Sequence, residues 1–580
     1  MFRLTPDGDY IPGMYIKAPD FKPEPASEEI EQCLQDYEAA IRAEQRRILR
    51  QHKRNPPTPN LTILQQSLIT QLRGKYKHTL KVMDADKNLG QAITTTEFAT
   101  KQTIQEHLSD GNVYRRLNKQ LASANQRGFE MQMESFINRV EPHVSDAEHI
   151  FLRRGLKTRR GNISRFYTLV KVHKFPLQLR PIVATCGTAQ SALSQWLDYT
   201  LQQLVPYVGT HIKDSEALRI MLTELVELPP NAYLIKADAR KMYTCIDTNH
   251  GLAILRQFLE ELKAQGDLPF NFNIDLIVEA AALVMRWNIF EYGDCYFQQL
   301  RGTAMGTPAA VMWSIIYYWW HEKHTLIPKY GNKLLLLKRF IDDAICIVKI
   351  GGDDGMNQLE LANFKADFDN FGPGTLTWEV FDPTKSTPFL DLTITINNGN
   401  ITTSTYQKPL NLYQYIPPNS AHPRGMIKGM IFGMLQRFYR QNSNREDYWT
   451  IAMLFYNRLK NRGWTREIIE PIFIEAHNKI IQQPRSYTKP STTKKDDIPP
   501  KQIILHWEYD PDGIRREKIR ELYNTHLGSL LSSPIEEVDG GLATDRVIVA
   551  YSRPPNLRDL LQSAKLQHIE GEEVSTYFGS

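Results

Sequence analysis

The 580-residue sequence holds only five cysteines, Cys33, Cys186, Cys245, Cys295 and Cys346, spaced far apart, with no CxxC pair and no His/Cys ligand spacing. That excludes a disulfide framework or a zinc module as the organising device. Long apolar runs are missing too. The longest, 309–320, stops at a His-Glu-Lys-His stretch, well short of the roughly 20 residues a membrane helix needs. The opening MFRLTPDGDYIPG contains no apolar signal core, so the expectation is a soluble, intracellular chain with no membrane partner. Net charge is small as well: 70 Lys and Arg against 65 Asp and Glu give a formal +5, too little at this length to mean anything as an average. No internal repeat is visible.

What is present argues for packed domains. With 42% hydrophobic, 10% aromatic and 23% charged residues, the chain has enough apolar surface to bury. Its length suggests about three or four structural units. Ser27 is placed to cap a helix with Glu28 and Glu29 in its first turn, apolar residues at Ile30, Leu34, Tyr37, Ile41 and Ile48, and a basic end before Pro56 and Pro57. Fewer than three clean heptads favour a helix lying on its own core over a coiled-coil arm. The polar, proline-punctuated stretch 482–501 reads as a linker, followed by a small C-terminal unit with a helix over 514–523 and a strand over 547–551.

Acids are absent from two segments. Between 153 and 180 there are nine basic residues and no Asp or Glu. Between 392 and 445, Lys408, Arg424, Lys428, Arg437, Arg440 and Arg445 interleave with Tyr406, Tyr413, Tyr415, Phe432, Phe438 and Tyr439, again without an acid. Cations spaced this way can track a phosphate backbone while aromatics stack on bases, although either segment alone reads equally as a solvated face over core aromatics.

These segments flank a cluster of acids. The stretch 334–350 (LLLLKRFIDDAICIVKI) predicts strand, tight turn and strand, with Asp342 and Asp343 at the bend. Two other Asp pairs, Asp353-Asp354 and Asp496-Asp497, lie in loop or linker sequence. Only the first is framed by core-type strands, where carboxylates cannot relax into water and a divalent cation is the natural partner. Asp238, at the end of the apolar run in 233–247 (YLIKADARKMYTCID), can join it or simply cap a helix. If the two strands lie side by side, the three carboxylates converge on a site for two Mg²⁺ ions, with Mn²⁺ as a substitute. Between them, Gly302 and Gly306 in RGTAMGTP let backbone come close to a ligand, ahead of an apolar helix.

Together these pieces resemble the reverse transcriptases of Penelope-like retroelements, which are related to telomerase, over most of the chain. DADKNLG (84–90) resembles the family's upstream motif, and FYTLVKVHK with LRPIV (166–183) its fingers motifs. DARKMYTCID (238–247), GTAMGTP (302–308) and FIDD (340–343) resemble its catalytic motifs and glycine loop. FLDLTI (389–394), YQKP (406–409) and SAHP (420–423) resemble its palm exit and thumb. VAYSRPPNLRDLLQSAKL (549–566) resembles the segment before a GIY-YIG endonuclease domain, but fourteen residues remain after it, so nuclease activity is not expected. Arg240, Lys241 and Asp247 depart from the family pattern, and Phe340 and Ile341 replace its commoner Tyr and Val.

The resemblance implies an α+β right-hand polymerase fold with an antiparallel palm sheet and mostly helical fingers and thumb. The corresponding segments are an N-terminal helical extension at 1–60, upstream motif and fingers at 61–229, palm at 230–395, thumb at 396–481, linker at 482–502 and C-terminal extension at 503–580. It implies RNA-directed DNA synthesis with Asp238, Asp342 and Asp343 as catalytic, metal-binding carboxylates. Lys171, Arg180, Gly302 and Gly306 fall at the incoming nucleotide, and Tyr243 where an aromatic gate excludes a ribose 2′-hydroxyl. Lys408, Arg424, Lys428 and Arg437 are the nucleic-acid contacts. The implied partners are an RNA template, a DNA primer and dNTPs. The primer comes from a separate endonuclease or from existing 3′ ends such as chromosome ends, and the implied location is the nucleus. The rival readings are an inactive or domesticated nucleic-acid-binding relic and an RNA-dependent RNA polymerase.

Overall fold

The computed structural model describes residues 28–57, 61–76, 79–225, 227–240, 242–369, 377–420, 422–423, 425–482, 502–532, 546–552 and 574–575. The 482–501 linker, apart from its first residue, and the Ser27 cap lie outside the described residues.

The four-stranded sheet at the centre has the spatial order Thr377–Val380, Ala232–Arg240, Asp343–Lys349, Leu334–Phe340, and every pairing is antiparallel. Its two central strands are apolar on both sides because both sides are covered. Ile235, Ala237, Ala344, Cys346 and Val348 pack in the main core with the helices Ala189–Gln202, Thr248–Gln265, Ile274–Arg286 and Ala310–His321. Leu234, Ile345 and Ile347 face the other way, onto Leu218, Phe389, Leu392 and Ile394. The helix Ala310–His321 is the apolar run of the sequence. Met312, Trp313, Ile315, Ile316, Tyr317 and Tyr318 are all buried, as expected of a helix that is hydrophobic all round.

A second, five-stranded sheet has the order Tyr114–Leu117, Cys295–Gln299, Ile289–Tyr292, Ser164–Lys171, Gln178–Ala184. The hairpin 289–299 therefore leaves the palm segment of the sequence and joins the three strands of the fingers segment, pairing antiparallel with Tyr114–Leu117 and parallel with Ser164–Lys171. A small hairpin, Leu80–Asp84 with Gln91–Thr95, touches this sheet through a bridge from Ala85 to Val170. After the central sheet's last strand come a three-stranded meander, Ser386–Phe389, Leu392–Asn397 and Asn400–Thr405, and a three-helix bundle, Met426–Gln441, Arg445–Asn461 and Arg466–Ile481. Ile431, Leu435, Phe438, Phe455, Leu459 and Ile469 form the bundle's core. The expected α+β class, with an antiparallel palm sheet and a helical thumb, is the one the chain adopts.

The N-terminal helix, Glu28–Arg54, lies on a core of the chain itself. Ile41 packs with Ile514, Ile519 and Val549, and Tyr37 meets Tyr523 edge to face. Its partner helix, Arg516–Ser532, is longer than the periodicity of 514–523 suggests, and the expected strand, Arg546–Ser552, pairs in parallel with Gln502–Glu508.

Candidate active site

The sheet brings two of the three predicted acids face to face. Asp343 is the register partner of Asp238 across the central strands, and the amide of Ala239 donates to the Asp342 carbonyl at 2.8 Å. Asp238 thus sits within a strand rather than at a helix start. The helix cap nearby is Asp247, whose carboxylate accepts the His250 amide at 2.9 Å. On its other side Asp238 faces Glu379, whose carboxylate leans toward Arg240 at 3.8 Å.

The electrostatics are those of crowded carboxylates. Burial pushes the Asp343 carboxyl up to about 7, reinforced by its hydrogen bond with Asp238 and by the charges of Asp342 and Asp238. Burial also raises Asp342 above the ordinary carboxylate range; Asp238 adds to the shift, while Arg180 and Lys87 oppose it. Asp342 has an accessible surface yet is ringed by protein, which is how it can be both exposed and desolvated. Asp238 Oδ1 is buried, 3.1 Å from Lys236 Nζ, and without a hydrogen bond of good geometry.

The expected three-acid cage is not closed. Among the described residues no three His, Cys, Asp or Glu side chains stand together as a ready metal cage. Asp238 and Asp343 meet, and Asp342, one residue further into the turn, bears on them only through its charge. The donor chemistry still suits a hard divalent cation: the oxygens are carboxylates, they repel one another, and one of them is buried without an aligned donor.

Basic residues line the adjoining wall. Arg180 on the Gln178–Ala184 strand pairs with Asp86 at 3.2 Å and also bears on Asp342 and Tyr243. Lys171 has its ammonium pKa lowered by burial and then by Arg180, against the pull of Asp86 and Glu106. Lys87 belongs to the same group, since its charge reaches both Asp342 and His173. Nothing local in its motif, DADKNLG, announces that placement. Its φ of +61, uncommon for a side-chain-bearing residue, is visible only in the fold. Tyr243 lies beside Asp342, its phenol pushed up to about 12 by burial and then by that carboxylate.

Gly302 and Gly306 serve differently from the expectation. The close approach each permits is to the chain's own backbone. A Cβ at Gly302 (φ +72) would stand 2.0 Å from the Tyr243 carbonyl oxygen, and one at Gly306 (φ +123) would stand 2.2 Å from that of Val183. The Thr303 amide donates to Tyr243 O at 2.7 Å and the Val183 amide to Met305 O at 2.8 Å. The glycine loop therefore staples the Tyr243 turn to the strand that carries Arg180.

Of the four cations expected to contact nucleic acid, two are engaged by acids of the chain itself. Lys428 pairs with Glu475 at 2.7 Å, and Arg437 is bound by Asp391. Both acids lie outside the acid-free 392–445 stretch and return to it through folding. Lys408 is exposed, and Arg424 lies outside the described residues.

No family model matches the sequence, and no curated protein matches it. Solved structures similar to the chain include telomerase from Candida albicans in complex with a TWJ fragment of telomeric RNA. That likeness has 11% identity and a TM-score of 0.45, over 72% of this chain and 69% of that one. Apo telomerase from Candida tropicalis aligns at 11% identity and a TM-score of 0.40, over 79% and 78%. The BmCPV RNA-dependent RNA polymerase in its quiescent state aligns at 13% identity and a TM-score of 0.35, over 63% of this chain and 32% of the viral one. Among the described residues no helix is long and apolar enough to cross a membrane.

Proposed function

We propose that the chain is an RNA-directed DNA polymerase of the Penelope-like retroelement kind, joining deoxynucleotides to a primer 3′-hydroxyl on an RNA template. The observation that supports this reading most is the register pairing of Asp238 with Asp343, with Asp342 beside them and Arg180, Lys171 and Lys87 on the adjoining wall. Asp238, Asp342 and Asp343 would hold two Mg²⁺ ions, which, when bound, stabilise the charge of the attacking oxygen and of the leaving pyrophosphate. The chain's own residues do the rest. Arg180, Lys171 and Lys87 meet the triphosphate, and Asp343 gives up its proton before it can act as a ligand. The Tyr243 ring, whose backbone carbonyl the glycine loop holds, closes the space a 2′-hydroxyl would need. The working location is the nucleus, and primers are existing 3′ ends or the products of a separate endonuclease.

The test is primer extension by the purified chain on an RNA template with an annealed DNA primer, offering each nucleotide class separately with and without Mg²⁺. Deoxynucleotide addition that Asp342→Asn abolishes, with hybrid binding retained, is the expected outcome, and Tyr243→Ala should admit ribonucleotides. Preference for ribonucleotides in the unaltered chain would make it an RNA polymerase. Hybrid binding without any addition would make it a relic.

A further inference from the structure

The hairpin carrying Asp342 and Asp343 is gripped from behind by an ion pair that none of the roles above uses. Arg339, on the Leu334–Phe340 strand, and Glu322, just past the Ala310–His321 helix, are both fully buried. Arg339 Nε lies 2.6 Å from Glu322 Oε1. Nη2 reaches Glu322 Oε2 at 3.4 Å and the Ile315 carbonyl at 3.1 Å, and Nη1 donates to the Ile341 carbonyl at 3.1 Å. The Thr210 hydroxyl donates to Glu322 Oε2, and the Tyr318 ring lies 5.1 Å from the guanidinium carbon. The Arg339 backbone is held as well, its amide donating to Thr210 O at 2.7 Å and its carbonyl accepting from Ile212 N at 3.0 Å.

The acceptor that matters is Ile341. It is the first residue of the hairpin loop, it precedes Asp342, and it sits at φ +56, a conformation that a β-branched side chain adopts only under constraint. A buried ion pair is a poor stability device, since apolar replacements of similar volume are often as stable. What a guanidinium adds is geometry: its rigid fork bonds the strained loop, the Ile315 carbonyl and Glu322 at once. Glu322 opens a π-helical turn, Glu322–Leu326, an irregularity often found where a helix must present a particular side chain.

We propose that Arg339, oriented by Glu322 and Thr210, is a positioning residue. It pins the Ile341–Asp342 loop so that Asp343 faces Asp238, and it locks that loop to the helix that follows the glycine loop. The consequence for catalysis rests on the polymerase reading, while the anchoring does not.

The informative variant is Arg339→Met/Glu322→Leu, which removes both charges together and leaves no lone buried ion. It should unfold close to the wild-type temperature and bind an RNA–DNA hybrid as tightly. Its primer-template KM should hold while kcat falls by about 10²-fold, the scale of a misplacement near 1 Å. Amides of the 341–343 turn should exchange hydrogen faster than in the wild type, while those of the thumb helices do not change. If the double variant fails to fold, Arg339→Lys is read the same way, since its single ammonium can stay with Glu322 but cannot also hold Ile341. Turn amides exchanging no faster than wild type overturn the anchoring whether or not the chain polymerises. A wild-type kcat despite a loosened turn overturns the catalytic consequence. A wild-type chain that extends no primer sinks the polymerase reading and leaves the exchange result to decide the anchoring.

Discussion

The strand Asp343–Lys349 has an aspartate pair near each end, and the two pairs behave in opposite ways. At one end Asp342 and Asp343 face Asp238 and both carboxyls are raised, Asp343 to about 7. At the other, Asp354 accepts hydrogen bonds from Lys349 at 2.8 Å and Asn231 at 3.1 Å, in a loop opened by Gly351 and Gly352, and its carboxyl is lowered, chiefly by Lys349. The dipeptide is the same and the strand is shared. Surroundings alone leave one pair desolvated and crowded by a third carboxylate and set the other in a solvent-exposed loop.

The largest test of this contrast is to remove one carboxylate from each end. Asp343→Asn should cut nucleotide addition by about 10³-fold or more, the scale of losing a member of a catalytic set. Asp354→Asn should leave it near wild type, as read by single-nucleotide extension. A smaller effect compares glycines of nearly equal conformation, Gly302 at φ +72 and Gly352 at φ +71. Gly352→Ala meets no atom closer than 3.6 Å, so it should cost only the left-handed conformation, about 1–2 kcal/mol. Gly302→Ala must in addition displace the Tyr243 carbonyl, so its denaturation midpoint should drop further and its extension rate should fall too.

The smallest effect is on pH dependence in the presence of a chelator. Folded Asp343 keeps its proton up to about pH 7, whereas the unfolded chain releases it near the ordinary 3.8. Stability therefore stands highest at the acid end of that window and declines as pH rises to about 7. Asp354, with a lowered carboxyl, contributes the other way, its stabilisation being present above the unfolded value and lost as pH falls. Denaturation midpoints should thus fall from about pH 4 to 8 for the wild type relative to Asp343→Asn, whereas the wild type should lose its advantage over Asp354→Asn only as pH drops through and below the unfolded 3.8. Parallel curves for all three would erase the contrast between the two ends.

The local parts of this site could be read from the sequence. A strand, bend and strand over 334–350 follows from two apolar runs around an Asp pair, whereas Asp238 could equally have capped a helix, and only the sheet register decides between the two. Side-chain pairings between remote segments could not be read. Asp391 and Glu475 reach Arg437 and Lys428 only after the thumb folds, so an acid-free window in sequence is not an acid-free surface. Nothing local in LLLLKRF announces that Glu322, a helix end away, will bury itself against Arg339. Lys87 was hidden for a related reason, since its place depends on a backbone bend and on a neighbouring sheet.

The seating of Ile41 against Ile519 and Val549 has a consequence for how the polypeptide is made. Translation delivers Glu28–Arg54 long before its covering partner, Arg516–Ser532. While the ribosome elongates everything in between, the apolar stripe of that first helix stays wet and open to stray association. This module therefore cannot settle before Arg516–Ser532 has emerged, and synthesis halted ahead of it leaves Glu28–Arg54 without a mate.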